Sequence, residues 1–302
     1  MVRPSVLLTL LFGATASASD DLTANIGFGR QGEAAMSDAG PSAAVAAKEH
    51  YTSLDWPVHS DDRNLLAVGF HYQYTRYEYT GINSRNRDLH HLQLPVRLRV
   101  ANGDRRLNAY VAPGIATSSN VFKDFLNRGS GGDWYFSGAV EVEIGEPGRR
   151  WLLGAAYDRS FGESRMYPIL GLGLAPGDNL NLRLAYPVSG ITWEYSDRNT
   201  MRAGVMPAGF EWRVVTDDFA SDFDYRVEGF RTHLNWTHRL FERWSIDLSA
   251  AYETDRRHEF VDDLGQPVVG YPQDEWILAI TFGVGGTPRT FPHAIRVESI
   301  VD

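Results

Sequence analysis

A period-two alternation of apolar and polar residues, repeated in segment after segment, constrains this chain more than any other sequence feature. Residues 92–100, LQLPVRLRV, place five aliphatic side chains on one face and Gln93, Arg97 and Arg99 on the other. Residues 134–144 and 244–253 alternate in the same way. Because successive side chains of a strand point to opposite faces, each segment predicts a β-strand with one apolar and one polar face.

The connections between these segments indicate what the apolar faces contact. A soluble sandwich would turn them inward, whereas a membrane barrel turns them to lipid. Tryptophans recur near segment ends, as in the interfacial girdles of barrels. Short turn-rich links, such as Asn102 to Asp104 and Pro176 to Asp178, alternate with longer polar links. The longer links are 117–132, 161–166, 217–222 and 254–274. This pattern favours an all-β fold, a transmembrane antiparallel up-and-down β-barrel with short periplasmic turns and longer outer loops.

The strand count follows from the same segments. Twelve strands are predicted from Asn64 to Gly285, and 22–29 and 44–57 are two weaker candidates. The number must be even if both termini lie in the periplasm. We therefore expect 12–14 strands and favour fourteen. Pro95 lies in mid-strand and predicts a bulge there, because proline cannot donate to the ladder.

The two ends of the chain indicate its location. Arg3, an apolar stretch and Ala16-Ser17-Ala18 are typical of a secretory signal with its cleavage site. We expect a signal peptide at 1–18, an outer-membrane barrel at 19–285 and a periplasmic tail or plug at 286–302. The predicted location is the outer membrane of a Gram-negative cell. Outer-membrane lipid, lipopolysaccharide and the barrel-assembly machinery are the expected partners.

Composition excludes several function classes. The chain has no cysteine, which excludes thiol catalysis and cysteine metal sites. Its formal net charge of −9 argues against nucleic acid as a partner. Asp217, Asp218, Asp222 and Asp224 match no established calcium loop. No metal site and no cofactor are predicted.

Residues from His90 to Val215 resemble a family of Gram-negative outer-membrane barrels described only as a domain of unknown function. The resemblance rests on LQLPVRLRV (92–100), YVAPGIA (110–116), GGDWYFSG (131–138), YPILGLGL (167–174) and LNLRLAYPVSGITWEY (180–195). It implies an outer-membrane barrel and supplies no catalytic or binding residues to carry over. The tail after Gly286 departs from it.

Charged residues on the polar faces are the candidate lumen-lining set. They are Arg97, Arg99, Glu141, Glu143, Arg183, Glu194, Glu211, Arg213, Arg226, Glu228 and Asp247. In a wide barrel such charges line water and select solutes, whereas in a narrow one they pair and block the interior. The sequence therefore predicts a passive pore for small solutes, with a non-conducting structural or surface-interaction barrel as the alternative.

An outer-membrane lipid-acyl hydrolase is the third and weakest reading. Such chemistry needs a nucleophile within reach of a base. None of the nine histidines has a serine two residues further on, the simplest arrangement on one strand face. His233 with Asn235 is the nearest analogue and offers no nucleophile. We therefore predict that the protein is not an enzyme.

Overall fold

Long β-strands make up most of the chain that the computed structural model describes, residues 22–122, 134–146, 148–215 and 222–285. The strands are β1 (Thr23–Ala35), β2 (Ala44–Ser60), β3 (Asn64–Thr80), β4 (Arg87–Gln93), β5 (Val96–Asn102), β6 (Arg105–Ser118), β7 (Trp134–Glu146), β8 (Arg149–Asp158), β9 (Arg165–Gly177), β10 (Leu180–Tyr186), β11 (Ser189–Ser196), β12 (Asn199–Pro207), β13 (Phe210–Val214), β14 (Phe223–Arg239), β15 (Trp244–Val261), β16 (Pro267–Gly270) and β17 (Glu275–Val284). A short 3₁₀ helix, Ser37–Ala39, lies between β1 and β2.

Antiparallel pairing closes these strands into a barrel, because β1 pairs with β17 as well as with β2. β4 and β5 are two parts of one wall strand, and so are β12 and β13. β16 pairs with the last four residues of β15, 258–261, and adds no strand to the wall. The result is a closed barrel of 14 strands. The predicted fold class and the favoured strand number are confirmed.

The break between β4 and β5 falls at Pro95, but the predicted bulge is wrong. His71 pairs with Gln93 and Val68 pairs with Val96, so neither strand carries an extra residue across the break. Gly69 leaves room for the proline on the neighbouring strand, because a Cβ at this position would lie only 2.9 Å from the proline ring. The backbone N–H of Gly69 donates to the Pro95 carbonyl at 2.8 Å. The ladder therefore loses hydrogen bonds at this position and keeps its register.

A bulge does occur where β14 meets β15. Glu228 pairs with Arg257 and Phe230 with Thr254, so β15 carries one extra residue near Asp255, which has a φ of 53°. The extra residue reverses the alternation of β15, and the strand then continues to Val261. The prediction of a loop over 254–274 is therefore wrong for 254–261, and also for 267–270, which form β16.

Short and long connections lie at opposite ends of the barrel, as predicted, except for the short link between β10 and β11, which lies at the end with the long ones. The end with the short turns is the periplasmic one by the usual rule for such barrels. In the turn after β2, the Asp61 carboxylate accepts the backbone N–H groups of Arg63 and Asn64 at 2.8 and 2.7 Å. The bond from Arg63, followed by those from Asn64, holds the pKa of Asp61 well below its ordinary value.

The outer wall carries the apolar faces of the strands. Leu170, Leu234, Leu248 and Leu278 are among the large side chains exposed there. Trp151 and Trp193 lie near the periplasmic end of this belt, and Trp276 lies toward the other end. Such an apolar belt with aromatic margins is the surface that outer-membrane barrels present to lipid. In the described ranges, no helix has the length and apolarity needed to cross a membrane. The predicted signal peptide and C-terminal tail lie outside the described residues.

Candidate functional site

The interior of the barrel is the candidate site, and polar residues fill its periplasmic half. We call Asp55, His71, Arg97, Glu141, Glu143, Arg183 and Asp247 the polar layer. Glu141 and Asp247 are completely buried, and the other members are no more than 8% exposed. Buried charges are tolerated only when they are paired and hydrogen-bonded. The contacts of this layer show how that is achieved.

The pair of Arg183 and Glu141 crosses the interior. Arg183 lies on β10 and Glu141 on β7, with two wall strands between them. The guanidinium donates to both carboxylate oxygens, at 3.2 and 2.5 Å. A two-point bond of this kind fixes the orientation of both groups. It joins two parts of the wall that are not neighbours.

A second cluster lies on β2, β3 and β5. Arg97 contacts the Asp55 carboxylate at 2.9 Å, and a ring nitrogen of His71 lies 3.0 Å from the same oxygen. Elsewhere in the layer, Asp247 accepts the hydroxyl groups of Thr237 and Ser249 at 2.8 and 2.6 Å. Charges in this half of the barrel therefore have protein partners.

Glu143 is bonded in the same manner. Its carboxylate accepts the side-chain N–H of Asn108 at 2.8 Å and that of Arg150 at 3.0 Å. Arg106 lies 3.6 Å from it. The polar layer thus extends to β6 and β8.

On the extracellular side of the polar layer lie four charged residues that we call the central ion pairs: Glu49, Arg231, Glu253 and Arg256. Arg231 of β14 donates to Glu253 of β15 at 2.6 Å and lies 3.6 Å from Glu49 of β2. Arg256 lies 3.3 Å from Glu253. All four are at most 7% exposed. These pairs separate the two halves of the interior.

The extracellular half of the interior is built from rings. We call Tyr77, His91, Tyr135, Phe210, Trp212, Tyr225, His258 and Phe260 the aromatic layer; each is at most 7% exposed. Tyr77 stacks on Tyr225 with ring centroids 5.3 Å apart, and Phe210 lies 4.6 Å from Trp212. The Tyr225 hydroxyl is 3.0 Å from a ring nitrogen of His258. Interiors of outer-membrane barrels are generally polar, so a buried aromatic layer here needs a cause.

The cause is a direct pairing between β6 and β13, two strands that are not neighbours at the periplasmic end. We call this pairing the β6–β13 seam. Thr117 and Arg213 pair in parallel, and the Thr117 hydroxyl donates to the Arg213 carbonyl at 3.0 Å. The backbone N–H of Val215 donates to the Ser118 hydroxyl at 3.3 Å. The seam reduces the number of strands around the extracellular half. A narrow barrel fills with its own side chains, and β13 carries Phe210 and Trp212 into it.

The structure separates the predicted lumen-lining residues into two groups. Because directly paired residues share one face of a sheet, the strand register gives the side on which each lies. Arg97, Arg99, Glu141, Glu143, Arg183 and Asp247 face the interior. Glu194 is on the same face, since it pairs with Thr200 and Thr200 with Thr237, but it is exposed near the periplasmic end.

The predicted lumen-lining position is wrong for four residues, which lie on the outer face: Glu211, Arg213, Arg226 and Glu228. Glu211 pairs with Arg226, whereas Phe210 and Trp212 between them pair with interior residues of β14. Arg226 contacts Glu211 at 2.9 Å and Glu259 at 3.5 Å on the outer wall. The prediction assumed that apolar residues face lipid everywhere. In the extracellular half the apolar residues of β13 and β14 face inward, so the charged residues between them face out.

Sequence reasoning missed the aromatic layer for the same reason. One signal was present: Phe210, Trp212 and Val214 alternate with charges and lead directly into the acidic stretch of a predicted outer loop. An apolar alternation beyond the level of the lipid-facing belt has no lipid to contact and must find a core. In the described part of the chain, no cluster of three or more potential metal ligands occurs.

The sequence matches no family model and no curated protein. The fold is similar to that of an outer-membrane channel from Pseudomonas putida F1, with a TM-score of 0.50 and 9% identity over 89% of this chain and 96% of that one. A FadL homologue from Pseudomonas aeruginosa gives a TM-score of 0.48 at 10% identity, over 87% and 90%. The toluene transporter TodX from P. putida gives 0.43 at 10% identity, over 90% and 92%. The likeness to the first of these supports the outer-membrane barrel fold.

Proposed function

We propose that the protein is a channel for small, mainly apolar solutes in the outer membrane, and that the described conformation is its closed state. The observation that carries the proposal is the aromatic layer at the extracellular end of the interior. Trp212, Phe210 and Tyr225 are at most 1% exposed there. Flat rings stacked inside the mouth offer an apolar solute the same contacts that they now make with one another.

The width of the barrel supports this proposal. About eight strands close on their own side chains, whereas the periplasmic half here has 14, so its interior leaves space once side chains move. The fold is also shared with an outer-membrane channel. The charges of the polar layer are held by ion pairs and hydrogen bonds in the closed state, and the pair that crosses the interior, Arg183 with Glu141, must separate or shift before a solute passes.

A non-conducting structural barrel is the second candidate, and the polar layer favours it. The bidentate pair of Arg183 and Glu141 ties strands together across the interior, and the bonds to Glu143 hold the neighbouring strands β6, β7 and β8. Such contacts are what a filled, structural interior needs. The two candidates differ in whether the aromatic layer can be opened.

Two measurements on the folded protein separate the candidates. Cells that express the barrel should take up the apolar dye N-phenyl-1-naphthylamine several times faster than cells without it. In planar bilayers we expect the unaltered protein to be mostly silent, and the double variant Phe210→Ala with Trp212→Ala to give stable single-channel steps, because it removes two rings from the mouth.

The matched control removes two rings from the outer wall, Phe136→Ala with Trp193→Ala, where both side chains are about half exposed, at 50% and 45%. This control should leave conductance unchanged. Silence of the folded mouth variant at all voltages, together with dye uptake no faster than background, would contradict the channel and favour the structural barrel.

A further inference from the structure

Three cations form a row on the outer wall of β1, β2 and β3. Arg30 pairs with Lys48, and Lys48 pairs with Arg76. Their chain neighbours Gln31, Ala47 and Tyr77 are buried inside the barrel. The three cations therefore project from the opposite, lipid-facing side of the wall. We call Arg30, Lys48 and Arg76 the cationic row.

Along the barrel axis, the cationic row lies at the height of the lipid headgroups of the outer leaflet. The next outward row toward the periplasm is aromatic: Phe28 lies 5.1 Å from His50, and His50 lies 5.8 Å from Tyr74. Arg76 is ten positions after Leu66, the first apolar residue on the outer face of β3. At a strand tilt of about 40° this rise is about 25 Å along the barrel axis. This distance equals the usual height of the apolar band. The row therefore lies just above the extracellular edge of the membrane.

The cationic row carries more positive charge than its neighbours neutralise. Glu78 contacts Lys48 at 2.7 Å and Arg76 at 3.1 Å, and Asp88 lies 3.7 Å from Arg76. Arg30 is exposed and contacts no described carboxylate directly, and it interacts with Glu78 only at longer range. Like charges placed directly opposite each other on a sheet are destabilising. Three adjacent cations with two carboxylates thus leave a net charge that an anion would balance.

We propose that the cationic row binds a phosphate group of the lipid A that forms the outer leaflet. Arginine presents a planar set of N–H donors that matches phosphate oxygens, and Lys48 adds a point charge. The row faces lipid at headgroup level, next to Tyr74, and tyrosine is enriched at membrane interfaces. A lipid phosphate reaches this position as part of the membrane. Free phosphate has the same chemistry and is distinguished in the test.

The excess positive charge is confined to the side of the barrel that carries the cationic row, because the described part of the opposite wall has none. On β13, β14 and β15 the outward cations are Arg213, Arg226 and Arg257. Arg226 alone contacts Glu163, Glu211 and Glu259 within 3.6 Å. Cations there are already neutralised by carboxylates. The proposal therefore assigns lipid A phosphate to one side of the barrel, and it does not depend on whether the interior conducts.

The test measures lipid binding to the detergent-solubilised protein by native mass spectrometry. The probes are bisphosphorylated lipid A, the same lipid after dephosphorylation, and inorganic phosphate. We expect the unaltered barrel to prefer the bisphosphorylated lipid. The variant Arg30→Gln, Lys48→Gln, Arg76→Gln should bind it about a hundredfold more weakly, which corresponds to about 1 kcal/mol for each cation at a membrane surface.

The matched control removes three exposed arginines near the periplasmic end, Arg105→Gln, Arg149→Gln and Arg239→Gln, and should keep full affinity. Equal binding by the row variant and the unaltered barrel, or an equal loss in the control, would overturn the proposal. Inorganic phosphate that competes as well as the lipid would assign the row to a free anion and also overturn it. If the row variant fails to fold, Arg30→Gln alone should still weaken binding severalfold, because Arg30 has no ion pair to lose.

Discussion

The two halves of the barrel interior are stabilised by different interactions. The polar layer consists of charged side chains held by ion pairs and hydrogen bonds, and the pair of Arg183 with Glu141 joins distant wall strands. The aromatic layer consists of rings in contact, with few polar bonds between them. The difference follows from width. A half surrounded by all the strands is spanned by long charged side chains, and a half narrowed by the β6–β13 seam is filled by rings.

The same alternation of apolar and charged residues therefore has opposite orientations in the two halves of this barrel. In the periplasmic half an apolar residue next to a charge faces lipid, as Val140 does beside Glu141. In the extracellular half an apolar residue next to a charge faces the interior, as Trp212 does beside Glu211. The environment beyond the wall decides which residue type is turned outward, because only the membrane band favours apolar contact.

The largest effect is expected in the polar layer. Arg183→Met leaves the fully buried Glu141 carboxylate without its partner, and removal of one member of a buried pair costs about 3–5 kcal/mol. Urea unfolding of the barrel in lipid vesicles, followed by tryptophan fluorescence, should show this loss. Replacing both partners, Arg183→Met with Glu141→Leu, should recover most of it. A single variant as stable as the unaltered protein would mean that this pair does not hold the interior.

A smaller effect is expected for a polar bond within the aromatic layer. Tyr225→Phe keeps the ring stacked on Tyr77 and removes a hydroxyl that bonds both the Tyr79 hydroxyl and a ring nitrogen of His258, the latter at 3.0 Å. Each neutral hydrogen bond contributes about 1 kcal/mol. The same unfolding measurement should therefore detect a loss smaller than that of Arg183→Met. Equal losses would remove the distinction between the two layers.

The smallest effect is expected outside both layers, in the turn after β2. Asp61→Ala removes the acceptor of the Arg63 and Asn64 N–H groups, but the side chain is exposed to solvent, at 46%. The pKa of Asp61 is lowered in the folded protein, so its contribution is present above the ordinary carboxyl pKa and is lost as pH falls toward the folded value. Unfolding at pH 7 should differ slightly between the two proteins, and this difference should vanish in strong acid. A difference that persists in acid would contradict this cause.

Much of the fold could be predicted because it depends on local patterns. Alternation at 92–100 and 134–144 and the two-residue turn at Gly103-Asp104 each predict one strand or one hairpin without long-range information. The wall strands and their number follow from counting such units. The inward positions of Arg97, Glu141 and Arg183 follow as well, because these residues lie within the lipid band where apolar neighbours must face out.

The rest of the site could not be predicted because it depends on contacts between distant segments. Nothing near Arg213 in the sequence indicates that its strand pairs with Thr117. The extra residue at Asp255 reverses the alternation of β15, so a continuous strand resembles a loop. Whether the polar layer lines a water path also depends on partners across the interior. The membership of the chain in the family that residues 90–215 resemble stays a prediction.

The seam between β6 and β13 has a consequence for the order of assembly. Thr117 and Arg213 are 96 residues apart, and strands β7 to β12 lie between them. Contacts of such separation are slow to form, since the intervening chain must first be placed. The extracellular mouth therefore closes after most of the wall exists, and the rings of β13 stay uncovered until then. A barrel that is stalled during insertion would expose these rings, which makes the nascent mouth its most aggregation-prone part.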